Sequence, residues 1–170
     1  MQNIHPLFVH FPIALLSVAL LCDLLGKACK KDSLNNAGWW LQFFGTIAII
    51  ATAITGLIAS NTVKLSDEAR DIMEDHETLE LIAGGIFALL FIWRSISKTI
   101  LPKKVPLLIT YFVIGALGAG IMFYGAHLGG RMVYEFGAGG SAVQQYKNGD
   151  HDDNKNIENK LPSPRAQGIP

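Results

Sequence analysis

Apolar residues in this 170-residue chain are gathered into four long blocks separated by short polar stretches. The blocks cover about residues 6–25, 38–59, 76–96 and 106–128. Each has about 20 residues, the length at which an α-helix rising about 1.5 Å per residue crosses about 30 Å of hydrocarbon. The pattern predicts an all-α protein, namely a four-helix transmembrane bundle with antiparallel up-down topology.

Composition agrees with a membrane protein, since 50% of the residues are apolar, 16% are charged and the mean hydropathy is +0.32. The first block is interpreted as a retained helix and not as a signal peptide. No Lys or Arg precedes it, and no small-x-small cleavage site follows before Lys27. The formal net charge of zero gives no sign of a nucleic-acid partner, so the expected partner of the helices is the lipid bilayer.

The chain divides into residues 1–139, predicted to form the transmembrane domain, and residues 140–170, predicted to be a polar, disordered tail. From about Lys147 the tail is rich in Asn, Asp, Lys and Pro and has almost no apolar residues. Ordering such a segment costs conformational entropy that no core would offset. His151, which lies in the tail, is therefore expected to be solvated.

Basic residues are distributed unevenly between the loops. Those at or after the ends of the first and third blocks are Lys27, Lys30, Lys31, Arg94, Lys98, Lys103 and Lys104. The middle loop has only Lys64 and Arg70, among several acidic residues. Because Lys and Arg favour cytoplasmic loops, we predict a multi-pass protein of the inner (plasma) membrane with both termini outside.

Arg94 is expected to snorkel to the membrane interface, and Trp39, Trp40 and Trp93 are expected to lie in aromatic belts. Pro12 removes the backbone hydrogen bond that residue 12 would make to Phe8. It should therefore kink the first helix.

Four of the five histidines are predicted to meet at the outer end of the bundle. His5 and His10 begin the first block, His76 begins the third and His127 ends the fourth. Antiparallel connections bring these positions to one end. Ionisable side chains at membrane depth are costly, so each is a candidate functional residue.

Two histidines from different helices suffice to hold a b-type haem, because neutral imidazole binds haem iron and helical bundles hold such cofactors between facing helices. The predicted ligands are His10 on one side and His127 or His76 on the other. Gly84 and Gly85 would leave room for a flat cofactor.

A transition-metal site is the alternative, with His5, His10, His76, Glu80 and His127 as candidate ligands. His76 and Glu80 are four residues apart and share one face of a helix. No spacing of high specificity, such as His-Glu-x-x-His, supports this site. A third alternative is a structural or assembly subunit without a cofactor, in which the histidines only occupy the membrane interface.

Cys22 and Cys29 are the only cysteines and are expected to be free thiols, because no Cys-x-x-Cys-His haem-attachment motif is present. The sequence has no glycine-rich phosphate loop and no nucleophile at a useful spacing from a base. Hydrolase and transferase activities are therefore not expected, and an electron-transfer component is favoured.

The segment from Ile4 to Leu16 reads Ile-His-Pro-Leu-Phe-Val-His-Phe-Pro-Ile-Ala-Leu-Leu. It resembles the opening signature of the domain of unknown function 2231 family of bacterial membrane proteins. The later Gly-Gly-Arg-Met-Val-Tyr string, residues 129–134, resembles the family's Gly-Gly-x-Leu-Val-Tyr segment after the last helix. The resemblance covers about residues 4–139.

This resemblance implies a four-helix membrane unit, often associated with c-type cytochromes or other electron-transfer proteins, with histidines suspected of holding haem or metal. By this resemblance His5, His10 and His76 are candidate haem or metal ligands. Members commonly read Tyr-x-His-Gly where this chain has Phe136 in place of the histidine, and His127 is expected to serve instead. The leading hypothesis is a redox-linked protein with haem b near the outer face, working with cytochromes or quinone-linked respiratory proteins.

Overall fold

A computed structural model describes residues 4–62, 66–97 and 100–138, and every regular element in this part of the chain is an α-helix. The helices are α1 (His5–Phe8), α2 (His10–Ala28), α3 (Asp32–Thr62), α4 (Asp67–Ile96) and α5 (Val105–Tyr134). Since α1 and α2 form one span, four segments are long and apolar enough to cross a membrane. The predicted tail and its His151 lie outside the described residues.

The helices alternate in direction, as predicted, and form two hairpins. α2 packs mainly against α3 and α4 mainly against α5, while the α3–α4 and α2–α5 contacts join the hairpins into a bundle. The end that holds the start of α1 and the end of α5 is called the histidine end. The opposite end, which holds the end of α2 and the start of α5, is called the basic end. The prediction of an all-α, four-helix transmembrane bundle is confirmed.

Three helices extend beyond the apolar blocks that predicted them. α3 begins at Asp32 and not at residue 38, α4 begins at Asp67 and not at residue 76, and α5 ends at Tyr134 and not at residue 128. The apolar block marks only the part of a helix that lies in hydrocarbon, whereas the polar turns can continue into the headgroup region. At α4 the start is fixed by Ser66, whose Oγ accepts a hydrogen bond from the backbone N–H of Ala69 at 3.3 Å.

Small residues set the close approach of the helices. A Cβ atom at Gly45 would lie 2.6 Å from Leu16 Cδ2, and one at Gly115 would lie 2.6 Å from Leu20 Cδ2. Two helices can pack this tightly only where one of them has no side chain. The middle of the bundle holds a cluster of buried apolar residues, with Leu16 fully buried.

The first span is interrupted at Val9, between α1 and α2. Pro12 has no N–H to give to the carbonyl of Phe8, and the hydroxyl of Thr52 on α3 donates to that oxygen instead, at 3.2 Å. A hydroxyl from a neighbouring helix is one of the groups that can satisfy a carbonyl released by proline inside a membrane. Val9 keeps helical backbone dihedrals, and the kink at Pro12 stays a prediction.

Candidate functional site

His76 lies at the histidine end of α4 and is held by two glycines of α5. Its side chain is buried, and Nδ1 lies 2.7 Å from the carbonyl oxygen of Gly125. A carbonyl can only accept, so Nδ1 carries the hydrogen, and in the neutral ring Nε2 keeps its lone pair. Gly129 gives the ring space, because a Cβ atom there would be 3.2 Å from Cε1 of His76.

His5, the first residue of α1, is held by α3 in a similar way. Its Nδ1 lies 3.2 Å from Oγ1 of Thr55, and the ring also hydrogen-bonds the backbone of Thr52. The Thr55 hydroxyl gives its own hydrogen to the carbonyl of Ala51 or Thr52, each at 3.0 Å, so its oxygen accepts from Nδ1. A Cβ atom at Gly56 would lie 3.2 Å from Cε1 of His5, so this glycine leaves space for the ring.

The two imidazoles meet inside the histidine end. The ring centroids of His5 and His76 are 6.3 Å apart, and their planes are inclined at 76°. Two imidazoles on opposite sides of one metal ion have their centroids about 6 Å apart, given metal–nitrogen bonds of about 2 Å. The observed separation is therefore compatible with ligation of one metal centre by the pair.

Glu80 adds a carboxylate next to the pair. It follows His76 by one helical turn and is half-buried, and a Cβ atom at Gly125 would lie 2.7 Å from Glu80 Oε1. Both side chains thus contact Gly125, which confirms that they share a face of α4. We name His5, His76 and Glu80 the histidine-end site.

The other two predicted ligands lie on the outside of the bundle. His10 is exposed, and His127 is exposed and stacked on Tyr124, with ring centroids 6.4 Å apart. In the part of the chain that the structure describes, no group of three or more His, Cys, Asp and Glu residues is placed to hold a metal ion. The assignment of His10 and His127 as ligands stays a prediction.

The predicted glycine pair differs in its surroundings at its two positions. Gly84 is buried against α3, where a Cβ atom would lie 3.0 Å from Ile49 Cγ2. A Cβ atom at Gly85 would meet no atom within 4 Å. Gly84 therefore serves helix packing, and the cofactor-binding role of the pair stays a prediction.

A buried ion pair crosses the bundle at the basic end. Arg94 of α4 pairs with Asp23 of α2, and their side chains are 1% and 0% exposed. Arg94 also donates to the carbonyl of Asn35, while Tyr111 donates to Asp23 Oδ2 at 2.9 Å and lies 3.3 Å from Gln42 Oε1. The expectation that Arg94 snorkels to the interface is wrong, because partners inside the bundle neutralise and solvate its charge.

The sequence does contain a signal for this ion pair, which is Asp23 itself. It stands within the first apolar block, and a carboxylate at membrane depth calls for a partner. Of the tryptophans expected in belts, Trp40 is exposed, whereas Trp39 and Trp93 are half-buried, the latter against Tyr111.

Gly38 and Gly26 leave space between α2 and α3 for the polar side chains of Asp23 and Asn35. A Cβ atom at Gly38 would lie 2.1 Å from Asp23 Oδ1, and one at Gly26 would lie 2.3 Å from Asn35 Oδ1. Among the described residues, four atoms of this region are buried without a hydrogen-bond partner: Asp23 Oδ1, Asn35 Oδ1, Trp39 Nε1 and Gln42 Nε2. Water molecules at these donors and acceptors would complete the network.

An exposed ion pair lies at the C-terminal end of α5. Arg131 makes hydrogen bonds of 3.0 to 3.1 Å to both carboxylate oxygens of Glu135. This hydrogen bonding lowers the pKa of Glu135. Phe136, the next residue after Glu135, is half-buried.

One family model matches the chain, over residues 1–142, and its description is "Predicted membrane protein (DUF2231)". The matched segment contains all four spans and the complete histidine-end site. No curated protein and no solved structure matches the chain.

Proposed function

We propose that this chain, which belongs to the DUF2231 family of membrane proteins, is a redox-linked protein that holds a b-type haem between His5 and His76. The observation that carries the proposal is the contact of these two imidazoles, which come from separate helices, with their centroids 6.3 Å apart. His76 was a haem-ligand candidate from the sequence, and His5 takes the place of the exposed His10.

The hydrogen bonds of the two rings support this assignment. Histidines that bind metals usually donate their second ring N–H to a protein acceptor, which fixes the tautomer and the orientation of the ring. His76 donates Nδ1–H to the carbonyl of Gly125, and His5 donates Nδ1–H to Thr55. Both rings are thus oriented by neighbouring helices and not by one another.

The donor set also indicates the kind of chemistry. His5 and His76 would hold the haem, and with both ligands supplied by the protein the group would supply one-electron transfer and not activation of a bound substrate. The chain's own residues orient the imidazoles and surround them with apolar helices. We infer that electrons pass between a quinone-linked respiratory protein and an external acceptor such as a cytochrome.

The membrane and the orientation are part of the proposal. The basic loops favour an orientation in the plasma membrane with both termini on the outer side. The histidine end lies on the same side as the termini. A reporter that is active only outside the membrane, fused after residue 138, should be active. The same reporter in the loop at residues 29–31 should be inactive.

Absorption spectra of the purified protein, oxidised and then reduced with dithionite, test the haem. A Soret band and a sharpened band on reduction are expected, and both should be lost in His5→Gln and His76→Gln. His10→Gln and His127→Gln are matched controls that should keep them. Protein without a Soret band and without iron would rule the haem out.

A transition-metal ion bound by His5 and His76 is the second candidate function. Glu80, whose carboxylate packs on Gly125 beside His76, would join them once the ion draws the three side chains together. Elemental analysis separates the two functions, because this site would contain metal without porphyrin absorption. Glu80→Gln should then reduce the metal content. If neither metal nor haem is found and the triple variant His5→Gln/His76→Gln/Glu80→Gln behaves as wild type, a structural or assembly subunit is the remaining function.

A further inference from the structure

A groove opens between α2 and α5 toward the basic end. Leu20 of α2 packs closely on Gly115 of α5, where a Cβ atom would lie 2.6 Å from Leu20 Cδ2. The gap has a volume of about 530 Å³ and is walled by apolar side chains, among them Leu24, Phe112 and Val113.

The groove faces the surroundings of the bundle and not its interior. Leu24 and Val113 on its walls are each 51% exposed, and Ile109 is 57% exposed. At the depth of a membrane-spanning helix such an opening meets lipid acyl chains. A flexible hydrocarbon chain can fill the groove between these side chains.

One lining residue is charged. Lys27, in the last turn of α2, is half-buried and is the only polar residue in the lining of the groove. Asp23, one turn earlier, is already paired with Arg94, and no ion pair of Lys27 is found among the described residues. The lysine therefore places a positive charge at the mouth of an apolar groove.

Further positive charge surrounds this mouth. Lys30 and Lys31 follow α2, Lys103 and Lys104 precede α5, and all four are exposed. Basic pockets between transmembrane helices bind anionic lipid headgroups, because the phosphate is attracted to the lysines while the acyl chains stay in hydrocarbon. The positive charge around the groove thus favours lipids with anionic headgroups over other lipids.

We propose that this groove binds an anionic phospholipid, with one acyl chain along α2 and α5 and the phosphate paired with Lys27. The site is separate from the histidine-end site and does not depend on the proposed function. The acyl chains of zwitterionic lipids fit the same apolar walls, but the headgroups of these lipids also carry a positive ammonium, which the lysines repel. They are bound less tightly.

Native mass spectrometry of the full chain in detergent tests the proposal, with phosphatidylglycerol and phosphatidylcholine added in equal amounts. Phosphatidylglycerol should be retained preferentially. Lys27→Gln should reduce that retention by about fivefold, the effect of about one lysine near an anionic headgroup. Lys31→Gln, which removes one charge at the same end outside the groove, is the matched control and should retain more lipid.

A second variant tests the apolar part of the site. Ala116→Leu adds a side chain to the wall of the groove, and it should lower retention of phosphatidylglycerol with Lys27 intact. Equal retention of both lipids, equal losses in Lys27→Gln and Lys31→Gln, or undiminished binding in Ala116→Leu would each overturn the proposal. Displacement of the lipid by inorganic phosphate alone would also contradict it, since the acyl chain would then contribute nothing.

Discussion

The hydroxyl of Thr52 donates to the carbonyl oxygen of Phe8, 3.2 Å away on the neighbouring span. Pro12 leaves that carbonyl without its intrahelical donor, so α3 supplies the missing hydrogen bond at the place where the first span is interrupted. The interruption separates His5, which contacts the interior of the bundle, from the exposed His10. Pro12 of the first span and Thr52 of the neighbouring helix thus both act on the backbone between these two histidines.

Thr52→Val should destabilise the protein by about 1 kcal/mol, because it removes the donor and keeps the shape of a buried side chain. The loss should be much smaller in a Pro12→Ala background, in which the backbone N–H of residue 12 can serve Phe8. Unfolding in mixed detergent micelles with increasing dodecyl sulfate measures both. The same loss in both backgrounds would show that the Thr52 hydroxyl acts elsewhere.

Arg94→Met should destabilise the protein by about 3–5 kcal/mol, since it leaves the carboxylate of Asp23 buried without its cation. Adding Asp23→Asn should recover part of the loss by removing the charge. The same unfolding titration gives both values. As a control, Glu135→Gln breaks the exposed pair with Arg131 and should leave stability nearly unchanged. Equal effects of the buried and exposed changes would contradict the importance of the ion pair.

Gly38→Ala should destabilise the contact of α2 with α3 by about 1–3 kcal/mol, the usual cost of adding a methyl group to a filled space. The new Cβ atom would lie 2.1 Å from Asp23 Oδ1, so the Asp23 side chain, which is held in its pair with Arg94, or the helix backbone must shift. Gly120→Ala is the control, because no atom lies within 4 Å of its Cβ position. It should be neutral or slightly stabilising, as alanine favours helix over glycine. A thermal unfolding series of the two variants decides the matter.

Thr55→Val should weaken cofactor binding by about 10–100-fold if His5 is a ligand, because second-shell partners orient metal-binding histidines. Haem or metal content after dialysis measures the effect. Thr46→Val is a matched control, since the hydroxyl of Thr46 donates to the carbonyl of Gln42 within its own helix. Equal cofactor content in the two variants would show that Thr55 does not orient a ligand of the cofactor.

The four spans and the meeting of the histidines at one end follow from the sequence, because block length and helix direction are enough to derive them. Which histidines face each other is a different matter. It depends on how each helix is rotated, and that rotation is set by Thr55 and Gly125, which lie 50 and 49 residues from the rings they hold. No periodicity along one helix carries this information.

Arg94 illustrates the same limit at the other end. A basic residue near the end of an apolar block is ordinarily expected at the interface, and only the presence of Asp23, 71 residues earlier, changes that expectation. The apolar blocks also stop short of the helix ends at Asp32 and Tyr134, because polar turns carry no hydropathy signal. The sequence predicts which residues lie at membrane depth. Their partners on other helices can be identified only from the folded structure.

The ion pair between α2 and α4 has a consequence for biogenesis. Asp23 enters the membrane with the first span, and its partner is not synthesised until the third span is complete. During that interval the first hairpin holds a carboxylate in lipid without its counter-charge, an arrangement that the bilayer disfavours. Completion of the third span therefore lowers the cost of the first hairpin in the membrane, because it brings Arg94 to Asp23.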